Sequence, residues 1–144
     1  MAENPPVTKR QYEALANFRY VVRKFFRYSE QISRKHGITP LQYQLMLHIK
    51  GYPGREWASI GELAERMQAK HHGTVALVTR SEKLGLVQRR TADHDRRSVQ
   101  VHLTPKGEKI LQRLAQLHRD ELLALREHLV LRDLTLAIAS PGPS

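Results

Sequence analysis

The side chains of this sequence that could do chemistry are mainly cations and imidazoles, and they gather in two short segments. One is Lys70-His71-His72, which opens a helical stretch, and the other is the charged run DHDRR at residues 93–97. Two histidines in a row make a metal site one hypothesis, since imidazole is a common metal ligand. Neighbouring arginines point instead to a partner with phosphate groups, which the guanidinium binds well.

The metal hypothesis is weakened by the spacing of the two histidines. Adjacent residues of a helix project about 100° apart, so His71 and His72 cannot both face one ion. The sequence also has no cysteine, and no carboxylate stands in ligand register beside them. We therefore predict no metal and no cofactor, and favour contact with a polyanion; simple exposure to solvent is the remaining alternative.

The charge of the chain favours a polyanionic partner. Its 144 residues include 24 Lys and Arg against 14 Asp and Glu, which gives a net charge of +10. Most of the excess lies in two basic blocks, residues 9–35 with +6 and residues 66–97 with +5. Such a balance is typical of proteins that bind nucleic acid or an acidic membrane surface, with a merely basic soluble protein as the alternative.

Several classes of protein are disfavoured by what the sequence lacks. There is no cysteine for disulfides or thiolate chemistry, and no apolar run reaches the ~20 residues that cross a bilayer. The first residues do not have the layout of a secretory signal, so we expect a cytoplasmic protein with no membrane partner. Nucleophile elbows, glycine-rich phosphate loops and paired catalytic carboxylates are also missing. This predicts that the protein is not an enzyme; an enzyme with a histidine-centred site is the alternative.

Apolar periodicity and capping residues predict a series of helices. Residues 9–35 form a long amphipathic pattern with basic residues on its outer side. Thr39, which precedes a proline, and Ser59, which has Glu62 three residues later, are typical helix starts. A further helix is predicted over residues 70–84. Its predicted inward stripe consists of Thr74, Leu77, Val78, Ser81 and Leu84.

Two strands and a last long helix follow. The segments LVQRRT and SVQVHLT have strand-like patterns, and the charged run 93–97 joins them. Thr104-Pro105 then opens a helix whose apolar residues recur every three or four positions. A short helix, a three-residue turn, a second helix and a hairpin make a winged helix-turn-helix. The predicted fold is a single domain over residues 1–144, mainly α with a small β-hairpin wing.

The sequence resembles the MarR family of winged helix-turn-helix transcriptional regulators, over residues 12–137. Its strongest piece, DRRSVQVHLTPKG, is similar to the family's wing signature of Asp-x-Arg, a strand and Leu-Thr-x-x-Gly. The matching positions are Asp95, Arg97, Leu103, Thr104 and Gly107. The segments GITPLQYQLMLHI and EKLGLV also resemble family segments. Three positions depart from the pattern: Gln68 stands in place of a turn glycine, Lys70 in place of a Ser-like cap and Ser81 in place of a buried leucine.

The resemblance implies a homodimer, in which helices at residues 9–35 and 105–139 interlock beside a DNA-binding winged helix over residues 39–104. It implies a recognition helix in the major groove of double-stranded DNA, wing arginines in the minor groove and, commonly, a small aromatic or acidic effector that releases the DNA. The predicted function is regulation of transcription, as a ligand-responsive repressor on a pseudo-palindromic operator. The alternative is a winged-helix module that binds RNA or protein partners without operator specificity.

Specific residues follow from this interpretation. Asp95 is expected to brace Arg97, two residues away in a tight turn, although a solvated surface ion pair is the alternative. The residues expected to contact DNA from the recognition helix and the wing are Lys70, His71, His72, Thr79, Arg96 and Arg97.

Two further features have alternatives that the sequence leaves open. His118 lies within the leucine stripe of the last helix, where a histidine is usually a core or interface residue, and effector sensing is the alternative. Residues 9–35 are interpreted as dimer core with a solvated basic back, and a membrane-binding helix is the alternative.

Overall fold

The computed structural model describes residues 4–92 and 95–128, without the side chains of residues 92 and 95–97. The described residues form two compact units, one of residues 30–117 and the other of residues 4–29 and 118–128. Their helices and strands are, in chain order, α1 (Lys9–Lys35), α2 (Pro40–Lys50), β1 (Trp57–Ser59), α3 (Ile60–Met67), α4 (His71–Lys83), β2 (Val87–Ala92), β3 (Asp95–Leu103) and α5 (Pro105–Leu125).

Paired capping residues set the starts of α2 and α3. Thr39 Oγ1 accepts the Gln42 N–H at 3.1 Å, and the Gln42 side chain accepts the Thr39 N–H at 2.9 Å. Ser59 and Glu62 repeat this arrangement before α3, at 3.1 and 2.9 Å. Each pair satisfies two N–H groups that a helix start would otherwise leave without a partner. Both predicted starts are therefore confirmed.

The wing strands belong to a three-stranded antiparallel sheet with the order β1-β3-β2. Strands β2 and β3 form the predicted hairpin, in a register that runs from Val87↔Leu103 to Thr91↔Val99 and then shifts to Ala92↔Asp95. Strand β1, which pairs with the other edge of β3, is absent from the prediction. Three residues are too few to show the alternation by which a strand is recognised, so the predicted two-stranded hairpin has to be extended by one strand.

The core of the unit formed by residues 30–117 draws side chains from helices and sheet alike. Burying a large aliphatic side chain completely is worth about 1.5–3 kcal/mol, so this cluster is the main stabilising feature of the unit. Its largest fully buried hydrophobic side chains are Leu45, Met46, Ile49, Leu63, Val78, Leu86, Val87, Val101 and Leu114.

The inward side of α4 differs from the prediction at one position. Four of the five expected residues are buried: Thr74, Leu77, Val78 and Ser81. Leu84, however, is 45% exposed, because the helix ends at Lys83. Gly85 then turns the chain with φ +76°, and Leu86 enters the core instead. The buried Ser81 hydroxyl donates to the Leu77 carbonyl at 2.8 Å, which satisfies it at a position where leucine is usual.

The second unit contains the first part of α1 and the end of α5. His118 is buried there, with Nε2 2.8 Å from Ser29 Oγ. The rings of Phe25 and Tyr28 lie edge-on to its imidazole at 5.7 and 5.8 Å. These contacts agree with a core position for His118. Helix α5 ends at Leu125, and the last part of the predicted helical region 105–139 lies outside the described residues.

No helix in the described part of the chain is long and apolar enough to cross a membrane.

Candidate nucleic-acid interface

Helices α3 and α4 form a helix-turn-helix joined by residues 68–70. Gln68 ends α3 in the left-handed conformation, with φ 51° and ψ 46°, and no other non-glycine residue has a positive φ in the part of the chain that the structure describes. This conformation costs a residue with a Cβ atom about 1–2 kcal/mol. The Gln68 side chain donates to the Glu65 carbonyl at 2.8 Å. The turn therefore has the shape that favours glycine, and glutamine adopts it with the help of a local hydrogen bond.

The start of α4 brings three predicted site residues together. Lys70 is the N-cap residue, and its side chain makes no capping hydrogen bond. Lys70, His71 and His72 are all exposed. A helix N-terminus has backbone N–H groups without partners and a partial positive charge, both of which favour an anion. This end of α4 is therefore chemically suited to a phosphate group.

One face of α4 is exposed along the length of the helix. His72, Ala76 and Arg80 occupy it at intervals of four residues, which places them on the same side. Lys83 lies three residues further on, and Glu82, the one acid of α4, is half-buried and paired with Arg89. Arg80 was not among the predicted site residues. Its spacing from His72 was the signal that could have identified it.

Thr79 lies at the edge of this face and is half-buried. Its Oγ1 accepts a hydrogen bond from Arg89 Nη2 at 2.8 Å. The guanidinium also donates to Glu82 Oε1 at 2.8 Å through Nη1, and the Arg89 backbone N–H donates to Glu82 Oε2 at 2.9 Å. The structure therefore places Thr79 beside the other α4 residues but engages its hydroxyl with the wing strand β2.

The predicted wing residues are described only by their backbone. Arg96 and Arg97 lie in β3 near the turn of the hairpin, and Asp95 begins this strand. The side chains of all three lie outside the described residues, as do residues 93 and 94 entirely. The bracing of Arg97 by Asp95 therefore stays a prediction.

A stack of aromatic and cationic groups forms the base of the wing. The Arg55 guanidinium lies between two rings, 4.3 Å from the Tyr52 centroid and 3.9 Å from the Trp57 centroid. Trp57 stacks on His102 of β3, with centroids 6.2 Å apart. These contacts connect β1 with β3 and explain how so short a strand is held in place.

Glu62 links this stack to the start of α3. It receives a hydrogen bond from the Tyr52 hydroxyl at 2.7 Å and an ion pair from Arg55. Burial opposes ionisation of the carboxyl, but the hydrogen bonds from Ser59 and Tyr52 and the charge of Arg55 outweigh it and lower the pKa of Glu62 to about 2. The carboxylate is therefore ionised at neutral pH, where it caps the start of α3 and pairs with Arg55 in the stack.

In the described part of the chain, no group of three His, Asp or Glu side chains lies close enough together to hold a metal ion.

The winged helix itself matches a known family. The sequence profile of the MarR family fits residues 36–98, which run from the turn before α2 into the wing. Over these residues, which are fewer than half of the chain, the protein is similar to the MarR family. Two curated relatives are a candidate regulatory protein for the hcr operon of Thauera aromatica, 33% identical over 92 residues, and the HTH-type transcriptional regulator YsmB of Bacillus subtilis, 34% identical over 88 residues. The alignments cover 64% and 57% of this chain and about half, 54%, of each relative.

Solved MarR structures match the fold over most of the chain. AbsC, a MarR family transcriptional regulator from Streptomyces coelicolor, has a TM-score of 0.72 with 21% identity and covers 94% of both chains. A MarR family protein from Bacillus stearothermophilus has a TM-score of 0.71 with 25% identity over 88% of both. A point mutant of S. aureus MepR, solved bound to an oligodeoxyribonucleotide, has a TM-score of 0.64 with 18% identity over 85% of this chain and 86% of its own.

These matches confirm the predicted resemblance to the MarR family and the predicted winged-helix fold. The matched proteins are regulators and not enzymes.

Proposed function

We propose that this MarR-type chain is a sequence-specific double-stranded DNA-binding regulator that acts as a homodimer on a pseudo-palindromic operator. The observation that carries the proposal is the exposed face of α4, with His72, Ala76, Arg80 and Lys83 beside an N-terminus that has no side-chain cap. A helix-turn-helix inserts such a helix into the major groove, with its first residues at the base edges. The one acid of α4, Glu82, is paired with Arg89, which leaves the exposed face suited to a polyanion.

The proposed DNA contacts divide into two groups. Lys70, with Arg80 and Lys83, supplies charge to the phosphates, and His71 and His72 meet base edges. Thr79 lies at the edge of the proposed contact and meets the DNA through its methyl group, since its hydroxyl is hydrogen-bonded to Arg89. From the wing, Arg96 and Arg97 reach a minor groove, whose negative potential attracts arginine, and Asp95 orients Arg97.

Selection of bound duplexes from a random DNA library tests this function. We expect one enriched sequence with two related half-sites about one helical turn apart, as two recognition helices of a symmetric dimer require. Binding without an enriched sequence would favour the alternative module for RNA or protein partners.

The finer assignment is a ligand-responsive repressor in the cytoplasm, where its proposed DNA partner lies. It is supported by the family resemblance, which also implies a small aromatic or acidic effector. Titration of salicylate as a probe of that chemistry should release the operator from the protein. Promoter activity in a reporter strain should rise when the gene for the protein is deleted.

The dimer prediction concerns the apolar surface of residues 9–35 and 105–139. A monomer would leave this large group of apolar side chains in water, which is unusual: Tyr12, Leu15, Phe18, Phe26, Leu122 and Leu123. We expect a dimer at micromolar concentration by sedimentation velocity. Phe26→Glu should shift it towards the monomer, because Phe26 projects within about 20° of Leu15 on α1.

Tyr20→Glu is the matched control, since Tyr20 projects about 120° away from Phe26 on the same helix. A monomeric wild-type chain, or equal effects of the two variants, would contradict the proposed dimer face.

Replacing the N-cap residue of α4, Lys70, by serine should raise the stability of the protein and lower its affinity for DNA. Lys70→Ser is expected to stabilise the protein by about 1 kcal/mol, because a serine Oγ accepts an N–H of the first turn that the Lys70 side chain leaves alone. It should also weaken DNA binding by removing a cation. Lys70→Ala should weaken binding similarly without the gain in stability. Equal denaturation midpoints for all three proteins would refute the capping argument.

The two histidines should affect sequence preference more than overall affinity. A lost base-edge contact costs about 1–3 kcal/mol on the operator and little on random DNA. His71→Ala and His72→Ala should therefore narrow the ratio of operator to random-sequence affinity, measured by fluorescence anisotropy. Parallel losses on both DNAs would place the histidines at the backbone. A zinc-dependent change in the wild type but not the variants would revive the metal hypothesis.

A further inference from the structure

Arg89 of strand β2 lies against one flank of α4 and contacts three of its residues. Val75, Thr79 and Glu82 are spaced four and three residues apart, so they form a line along the helix. Arg89 Nη2 donates to Thr79 Oγ1 at 2.8 Å and approaches the Val75 carbonyl at 3.5 Å, while Nη1 and the backbone N–H bind the two oxygens of Glu82 at 2.8 and 2.9 Å. One wing residue thus spans about two turns of the recognition helix.

The charge of Arg89 is used inside the protein. Its side chain is 30% exposed and that of Glu82 is 38% exposed, so the ion pair is partly shielded from water. With Nη1 on Glu82 and Nη2 on Thr79, the two terminal nitrogens of the guanidinium are both directed to α4. The Arg89–Glu82 pair has no net charge, so an arginine arranged in this way attracts a phosphate only weakly.

The position of Arg89 in the sheet extends this contact to the wing. Arg89 pairs with Val101 of β3, which is fully buried in the core. The same hairpin continues from there to Arg96 and Arg97 of β3. Whatever fixes Arg89 on α4 therefore fixes the base of the wing relative to the recognition helix.

We propose that Arg89, with Glu82, is a positioning residue that sets operator discrimination by holding the wing and α4 in one arrangement, without itself contacting phosphate. This inference rests on the proposed DNA-binding function. Two elements that must reach two grooves at once bind one DNA geometry best when their relative position is fixed beforehand. A loosened pair should still bind DNA through charge but should discriminate less.

The charge-neutral double variant Glu82→Gln with Arg89→Gln tests the proposal directly. It removes the ion pair and leaves the net charge unchanged. We expect operator affinity to fall about tenfold, the loss of a charge-assisted contact, while affinity for random DNA and its dependence on salt stay at the wild-type values. A fall on both DNAs with a smaller salt slope would mean that Arg89 binds phosphate, and would overturn the proposal.

The single variant Glu82→Gln separates positioning from electrostatics by sign. Removing an acid near DNA should raise affinity for random DNA, and a purely electrostatic role would raise operator affinity as well. Positioning predicts that operator affinity falls while random-DNA affinity rises. Ile49→Val is the matched control for stability, because it trims a buried side chain of α2 away from this contact and destabilises the core modestly. If Ile49→Val lowers discrimination equally, Arg89 has only a structural role.

Hydrogen exchange provides a readout that needs no DNA. The Arg89 amide donates to Glu82, so in Glu82→Ala, which removes the acceptor, its exchange and that of its β2 neighbours should accelerate while α2 and α3 keep their protection. Unchanged exchange of β2 would refute the positioning role. If β2 loosens as expected but the wild type shows no preference for any DNA sequence, the proposed function fails and the contact between wing and helix stands.

Discussion

Replacing Gly107 by alanine is expected to destabilise the protein by about 3 kcal/mol or more, the upper range for overpacking. Gly107 lies in the first turn of α5, and a Cβ atom there would stand 2.0 Å from the Leu86 carbonyl oxygen and 3.0 Å from the carbonyl carbon. Both atoms are backbone, so no side chain can rotate away to make room. Either α5 or strand β2 would have to move, and Leu86 is buried in the core.

The same geometry accounts for the Leu-Thr-x-x-Gly part of the wing signature. The Thr104 hydroxyl accepts the Gly107 N–H at 3.0 Å and caps α5. Its own hydrogen is directed to the carbonyls of Gly85 and Leu86, at 2.5 and 3.2 Å. The Leu86 carbonyl also accepts the Thr104 N–H at 3.1 Å. Threonine thus anchors the start of α5 to the start of β2. Glycine is needed because this anchoring brings two backbones into contact.

Gly61→Ala is the matched control for this prediction. Gly61 lies in the first turn of α3, and a Cβ atom there would meet nothing within 4 Å. Alanine should therefore be neutral or stabilise by up to about 1 kcal/mol, since glycine disfavours a helix. Urea denaturation followed by circular dichroism measures both. A Gly107→Ala protein as stable as Gly61→Ala would show that α5 can move away from β2 at little cost.

The parts of the fold that sequence could predict are those determined by local chemistry. Thr39 and Ser59 predict the starts of their helices because their capping partners lie only three residues later in the sequence. Strand β1 could not be predicted, because its place depends on pairing with β3, more than 40 residues later. Leu84 is predicted to face the core because the helical periodicity continues to it, but α4 ends one residue earlier, at Lys83.

The candidate site divides in the same way. Lys70, His71 and His72 were predicted because they lie together at a helix start, and the structure keeps them exposed there. Arg89 could not be recognised as a partner of Thr79, since the two are joined only after the chain turns from α4 into β2. Its role depends on tertiary contacts that no periodicity reveals.

The salt dependence of operator binding should be the largest effect of all. A dimer that contacts six to ten phosphates is expected to lose about 10³–10⁵ in affinity between 50 and 200 mM salt, because each contact releases a bound counterion from the DNA. The dimer has enough proposed cations for this number of contacts, namely two copies each of Lys70, Arg80, Lys83, Arg96 and Arg97. Fluorescence anisotropy with a labelled operator duplex, repeated over a series of salt concentrations, gives the slope.

Arg97→Ala should lower that slope by about 2 for the dimer, roughly one for each lost cation, because an arginine at the phosphates or in a narrow groove acts mainly through counterion release. It should weaken operator and random DNA alike. Arg19→Ala is the matched control: it removes the same charge from an exposed position of α1, outside the winged helix, and should leave the slope near that of the wild type. A general effect of net charge would lower both slopes equally. If Arg97→Ala changes neither slope nor affinity, Arg97 is a solvated surface residue. If it lowers operator affinity alone, the wing contributes shape recognition instead of phosphate charge.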